Sequence, residues 1–115
     1  MIPTYRKYSN RKTTVDNITF DSAKEAARYQ ELCLEQKGGW ISDLETQVTY
    51  RLEVNGQLIC KYIADFRIKW NPYSPLCPGH PYDVIECKGF MTREARIKLK
   101  LMAALYPDVV LRIVK

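Results

Sequence analysis

The sequence predicts a mixed α/β (α+β) fold: a helix, three antiparallel strands, a second helix and a final strand. Three observations point there. Ser22 to Gly39 and Thr92 to Pro107 carry apolar residues at helical spacing between recognisable start and stop residues. Leu44 to Leu52 alternates apolar with polar, and Asn55-Gly56 is a tight hairpin turn from it into the strand that carries Asp65. Two further apolar segments, Tyr82 to Lys88 and Val109 to Val114, flank the second helix. At 115 residues and 46% hydrophobic content the chain suits one core rather than two, so one domain is expected over 1-115. Within it residues 1-12 read as a basic arm, 13-20 as a hairpin and 21-115 as the core.

The elements follow in order. Arg6, Lys7, Arg11 and Lys12 lie among polar and aromatic neighbours with little core of their own. Thr13 to Phe20 reads as a small hairpin turning at Asp16-Asn17. Ser22-Ala23-Lys24-Glu25 has the Ser-x-x-Glu spacing of a capping box, and Gly38-Gly39 ends the helix it opens. On a helical wheel Ala23, Ala26, Ala27, Tyr29, Cys33 and Leu34 form one apolar arc, with Glu25 at its edge. Leu44, Val48, Tyr50 and Leu52 share one face of the next segment and Glu45, Gln47 and Arg51 the other; the Asn55-Gly56 hairpin allows Gln47 to add an amide beside Asp65, a solvent-facing Gln being the commoner alternative. Thr92 is an N-cap for a helix with Ile97, Leu101, Ala104 and Leu105 inward, and Val109 to Val114 reads as a largely buried strand.

The chemistry gathers between residues 65 and 88. Tyr62-Ile63-Ala64-Asp65-Phe66-Arg67-Ile68 and Tyr82-Asp83-Val84-Ile85-Glu86-Cys87-Lys88 become neighbours if residues 71 to 80 connect them as an antiparallel pair. Pairing them end to end sets Asp65 opposite Glu86, with side chains about 5 Å apart. Period-two alternation puts Glu86 and Lys88 on one face and turns Ile85 and Cys87 into the core. Two carboxylates at that distance repel unless a cation lies between them. A hard divalent ion, Mg²⁺ or Mn²⁺, takes oxygen ligands and keeps waters, and Lys88 would steady charge developing on a phosphate. The same trio can also form an ordinary cross-strand salt bridge. Glu25 has both a capping explanation and a site explanation.

The net charge is +5 and the pI near 9.1, so basic residues gather away from the acidic cluster, as a polyanion ligand would require. Arg93, Arg96 and Lys100 recur at i, i+3 and i+7 and line one outward face of the second helix, suited to a phosphate backbone. No apolar run approaches a membrane span and the first residues lack the hydrophobic stretch of a signal peptide, so a cytoplasmic protein is expected. Cys33, Cys60, Cys77 and Cys87 are then expected as reduced thiols. Cys77-Pro78-Gly79-His80 is expected to be a Pro-rich loop rather than part of a zinc site.

The order Glu25, Asp65, Glu86-Cys87-Lys88 and following helix resembles the PD-(D/E)xK nuclease superfamily over nearly the whole chain. More narrowly, Phe20-Asp21-Ser22, Leu44-Glu45-x-Gln47, Tyr62-Ile63-Ala64-Asp65-Phe66 and Glu86-x-Lys88-Gly89 followed by Thr92 are similar to small phage-encoded endonucleases grouped with Holliday-junction resolvases. The resemblance implies a restriction-endonuclease-like core, Mg²⁺ (or Mn²⁺) held by Asp65, Glu86 and the main-chain carbonyl of Cys87, and Lys88 as the catalytic lysine. Glu25 matches the acidic helix position. The superfamily often has Pro before its Asp, where this chain has Ala64.

The expected activity is metal-dependent hydrolysis of DNA phosphodiester bonds, on branched or recombination intermediates, with Glu25, Asp65, Glu86 and Lys88 catalytic. Arg6, Lys7, Arg11, Lys12, Arg93, Arg96 and Lys100 would follow the phosphates, and cutting two strands would call for a homodimer. The competing readings are a catalytically inactive nucleic-acid-binding module of the same fold and a protein that recruits a partner enzyme.

Overall fold

A computed structural model describes residues 12–87 and 91–114. The expected site residues Arg6, Lys7, Arg11 and Lys88, and Gly89 after them, lie outside the described residues. The architecture is mixed α+β. A small hairpin, β1 (Thr13–Val15) and β2 (Ile18–Phe20), leads into helix α1 (Ala23–Lys37). Strands β3 (Ile41–Val54), β4 (Gln57–Trp70) and β5 (Tyr82–Cys87), helix α2 (Arg93–Leu105) and strand β6 (Val110–Val114) follow. The main sheet has the order β3-β4-β5-β6, antiparallel at its first two junctions and parallel between β5 and β6. A parallel neighbour needs a crossover, and α2 supplies it.

Local chemistry accounts for the ends of these elements. Asp16 and Asn17 both have left-handed φ (53° and 64°), as a two-residue hairpin turn requires. Asn55 and Gly56 repeat that geometry between β3 and β4. The Ser22 hydroxyl accepts the Glu25 N–H at 3.1 Å and that of Thr92 accepts the Ala95 N–H at 3.0 Å, capping the two helices. Gly39 leaves α1 at φ +83°, where a side chain would strain the backbone.

Two hydrophobic clusters cover the sheet. Phe20, Ala26, Leu32, Ile41, Phe66, Ile68, Trp70 and Ile85 form one with α1. Tyr50, Leu52, Tyr62, Ala64, Val84 and Met102 form the other with α2. Neighbouring residues Val84 and Ile85 are both fully buried, one in each cluster, so β5 is covered on both faces. Full burial of a Phe, Leu or Ile side chain contributes about 1.5–3 kcal/mol, and these contacts hold the helices to the sheet.

The long hairpin departs from simple alternation. On β4, Tyr62 and Ala64 belong to the α2 cluster, whereas Phe66, Ile68 and Trp70 belong to the α1 cluster. On β3, Leu44 packs on the α1 side and Val48, Tyr50 and Leu52 on the α2 side, so the expected single face for these four is corrected. The change falls at one point. Thr46 pairs with Phe66 and Val48 with Ala64, but Gln47, with φ +52°, makes no ladder pair with the Asp65 that lies across from it. A left-handed residue turns the strand over, and the inward side switches beyond it.

Three further expectations are corrected. The buried side of α1 is Glu25, Ala26 and Leu32, with Ala23, Ala27 and Leu34 exposed, because the helix packs beneath Phe20 and Phe66 rather than along its Ala-rich side. In α2 Ile97 and Ala104 are exposed, and Met102 is the buried residue, flanked by Leu99, Leu101 and Leu105. Strand β6 is an edge strand with Val110 and Ile113 exposed, since one side of it has no neighbour in the sheet.

Candidate active site

The face switch on β4 is where the acidic residues meet. The β4–β5 ladder ends with Phe66 opposite Ile85, in the register expected from sequence, and Asp65 and Glu86 are the next residues beyond it on the two strands. The Cys87 main-chain N–H donates to Asp65 Oδ2 at 2.7 Å and ties the Asp65 carboxylate to β5. The Tyr62 hydroxyl donates to Glu86 Oε1 at 2.5 Å. Glu86 is only 3% exposed and Glu25 only 6%, so two of the three expected acids are withdrawn from solvent. Burying carboxylates is costly unless donors or cations face them, which marks the cluster as built.

The charges of all three acids act on the Cys87 thiol. Burial pushes that thiol up to about 11, and the negative fields of Asp65, Glu25 and Glu86 add to the rise while Arg28 opposes it. The Tyr62 hydroxyl is raised well above its ordinary value, first by burial, then by its bond to Glu86 and the charges of Glu86 and Asp65. Tyr62 is therefore a neutral donor across the physiological range. In regular alternation Tyr62 and Asp65 would point to opposite sides of β4. The turnover at Gln47 and Asp65 brings both to the carboxylate cluster, so sequence periodicity hides the role of Tyr62.

The donor chemistry suits a hard divalent cation. Asp65 and Glu86 supply carboxylate oxygens, and the Cys87 main chain is held against Asp65. Among the described residues no three His, Cys, Asp or Glu side chains are grouped to hold a metal ion by themselves. The set expected from sequence has two carboxylates and a main-chain carbonyl, with water to complete it, and the residues present fit it.

Of the expected nucleic-acid contacts, Lys12, Arg93, Arg96 and Lys100 are exposed, the last three on the outer side of α2. A recess of about 300 Å³ opens between β4 and the first turns of α2, with Glu86 and Tyr62 in its lining together with Lys61 and Lys98. Those two lysines were not singled out by the sequence. Their signal is weak, since Lys61 looks like any outward strand residue and Lys98 like any helix-surface cation.

In the loop between β4 and β5, Cys77 and His80 have separate partners. The Cys77 side chain packs against the α1 cluster, and His80 Nε2 lies against Asp83 Oδ1. Asp83 is fully buried, and Arg112 of β6 approaches its Oδ2 at 2.8 Å as an ion pair. Arg112 also lies over the Trp70 ring, 5.7 Å from its centroid. The four cysteines are free thiols, as expected.

No helix among the described residues is long and apolar enough to cross a membrane. Among curated proteins and solved structures, none matches this chain. Residues 5–115 match the family described as "Protein of unknown function (DUF1064)", and the chain belongs to that family.

Proposed function

We propose that the protein is a Mg²⁺- or Mn²⁺-dependent DNA endonuclease with a restriction-endonuclease-like core of the PD-(D/E)xK type. The observation that carries this reading is the convergence of Asp65, Glu86 and the Cys87 main chain at the face switch, with the charge of the buried Glu25 carboxylate also acting on the Cys87 thiol. In this reading Asp65, Glu86 and the Cys87 carbonyl hold the metal. When bound, the ion would lower the pKa of a water and offset charge on the phosphate. Lys88 steadies the attacking water and the charge that builds on the phosphate oxygens. Glu25 orients the water network behind the carboxylates. Tyr62 fixes the Glu86 rotamer through its hydroxyl. Lys12, Arg93, Arg96 and Lys100, with Arg6, Lys7 and Arg11 of the arm, follow the phosphate backbone. Two copies related by a two-fold axis would cut two strands of a branched intermediate.

A second reading is a catalytically inactive nucleic-acid-binding module of the same fold. It is favoured by the protein donors that already occupy one oxygen of each carboxylate, Cys87 N–H on Asp65 and Tyr62 O–H on Glu86. Incubation with labelled four-way junction, flap and linear duplex DNA in Mg²⁺, Mn²⁺ or EDTA separates the two. Metal-dependent cutting that disappears in Glu86→Ala and Lys88→Ala supports the endonuclease. Salt-sensitive binding with no cutting under any ion supports the module.

A further inference from the structure

The recess beside Glu86 has a composition that a metal site does not need. One wall is Ile63, a strand residue that leaves 58% of its surface in solvent. Ala95 and Leu99 of α2 face into the same space. Lys61 and Lys98 add two amines, and the Lys98 ammonium stands 3.5 Å from Glu94. An ammonium has three N–H donors, so that single ion pair leaves Lys98 capacity for another acceptor. At about 300 Å³ the recess sits at the lower end of small-ligand pockets, room for one flat heterocycle and its sugar and far too little for a base pair in a helix.

We infer that this recess seats a single unpaired nucleotide next to the bond being cut, so that the substrate is DNA with single-stranded character at the cleavage point rather than continuous duplex. The inference rests on the endonuclease reading. Ile63, Ala95 and Leu99 give a base an apolar face to lie on, and Lys61 and Lys98 supply cations for the adjoining phosphates. Glu86 lines the recess and belongs to the carboxylate cluster, so a nucleotide seated there brings its own phosphate to the expected metal ligands. A base stacked in duplex cannot enter without being extruded, and the cost of extrusion is least where pairing is already lost.

Binding in EDTA, where no cutting occurs, tests the recess apart from catalysis. Oligonucleotides of one sequence are presented as single strand, flap and blunt duplex, with 2-aminopurine placed along the flap. The expected result is single-strand and flap affinity about tenfold or more above duplex, the size of one stacked base. A 2-aminopurine emission change confined to the nucleotides at the flap base should accompany it. Ile63→Glu, at an exposed position, and Leu99→Trp, which fills the recess, should each abolish the preference while circular dichroism melting shows Ile63→Glu folded. Equal affinity for duplex and single strand, or a preference kept in both variants, overturns the inference. In Mg²⁺, cutting of blunt duplex as fast as flap overturns it while leaving the endonuclease reading intact. A single-strand preference lost in both variants, with no cutting of any DNA, supports the recess and removes the endonuclease reading instead.

Discussion

The hydroxyl of Tyr62 donates to Oε1 of Glu86 at 2.5 Å, joining two strands inside the α2 cluster across 24 positions of sequence. The bond neutralises no charge. It sets the rotamer of a buried carboxylate. Tyr62 itself is fixed by packing, its ring stacked on Tyr50 with centroids 6.4 Å apart.

Tyr62→Phe keeps that packing and removes only the donor. Loss of an outer-shell partner typically reduces metal affinity or activity about 10- to 100-fold, and loss of a hydrogen bond to a charged group about 1.5–3 kcal/mol of stability. Cleavage titrated against Mg²⁺ should shift to higher metal concentration, and urea unfolding should report the lost stability. Wild-type metal dependence in the variant would show that the Glu86 rotamer needs no help from Tyr62.

The Cys87 thiol is pushed up to about 11 from an ordinary 9.0, first by burial and then by the charges of Asp65, Glu25 and Glu86. Below pH 9 it is protonated in the folded and unfolded chain alike, and its contribution to stability is fully present. As pH rises from 9 through 11 the unfolded chain loses its proton first, so that contribution is lost across this window. The raised Tyr62 hydroxyl adds a further loss above pH 10. Alkylation followed by mass spectrometry should place the Cys87 midpoint near 11 in metal-free buffer, and below pH 9, where Mg²⁺ stays dissolved, the ion should speed Cys87 alkylation by offsetting Asp65 and Glu86. An alkylation rate that ignores Mg²⁺ would count against metal at these carboxylates.

Gln47 holds φ +52° in the middle of a strand, a conformation that costs a residue with a Cβ about 1–2 kcal/mol. Gln47→Gly should therefore be neutral or stabilising by up to about 1 kcal/mol, with the fold unchanged. Gln47→Val, β-branched, should destabilise by about 2 kcal/mol or more and impair cleavage through misplacement of Asp65. Chemical denaturation of the two variants measures the difference. A stable Gln47→Val would mean that the strand can bury the same residues without turning over.

Asp83 is fully buried, with the His80 ring and the Arg112 guanidinium against its two oxygens. Arg112→Ala strips the permanent cation from a buried carboxylate, and unfolding free energy should fall by about 3 kcal/mol. Asp83→Asn in the same background removes the charge and should recover part of the loss. Without such recovery, the Arg112 effect comes from its packing over Trp70 rather than from the ion pair.

The local elements were legible because each rests on near neighbours in the chain. Ser22 and Thr92 cap the helices, Asp16-Asn17 and Asn55-Gly56 turn the hairpins, and Gly38-Gly39 stops α1, all as the sequence indicates. The Asp65–Glu86 juxtaposition was legible too, because antiparallel strands joined by a loop have few registers that bury Phe66 and Ile85 together. Tertiary structure alone decided which side of each element is inside. The wheel of α1 offers Leu34 and the alanines as readily as Leu32, and only the position of Phe20 and Phe66 above the helix selects Leu32 and draws Glu25 inward. Periodicity likewise assumes a strand that never turns over. The left-handed Gln47 reverses β3 and β4 at the level of Asp65, and this nonlocal geometry brings Tyr62 to the acids from the side of β4 that regular alternation would turn away from Asp65.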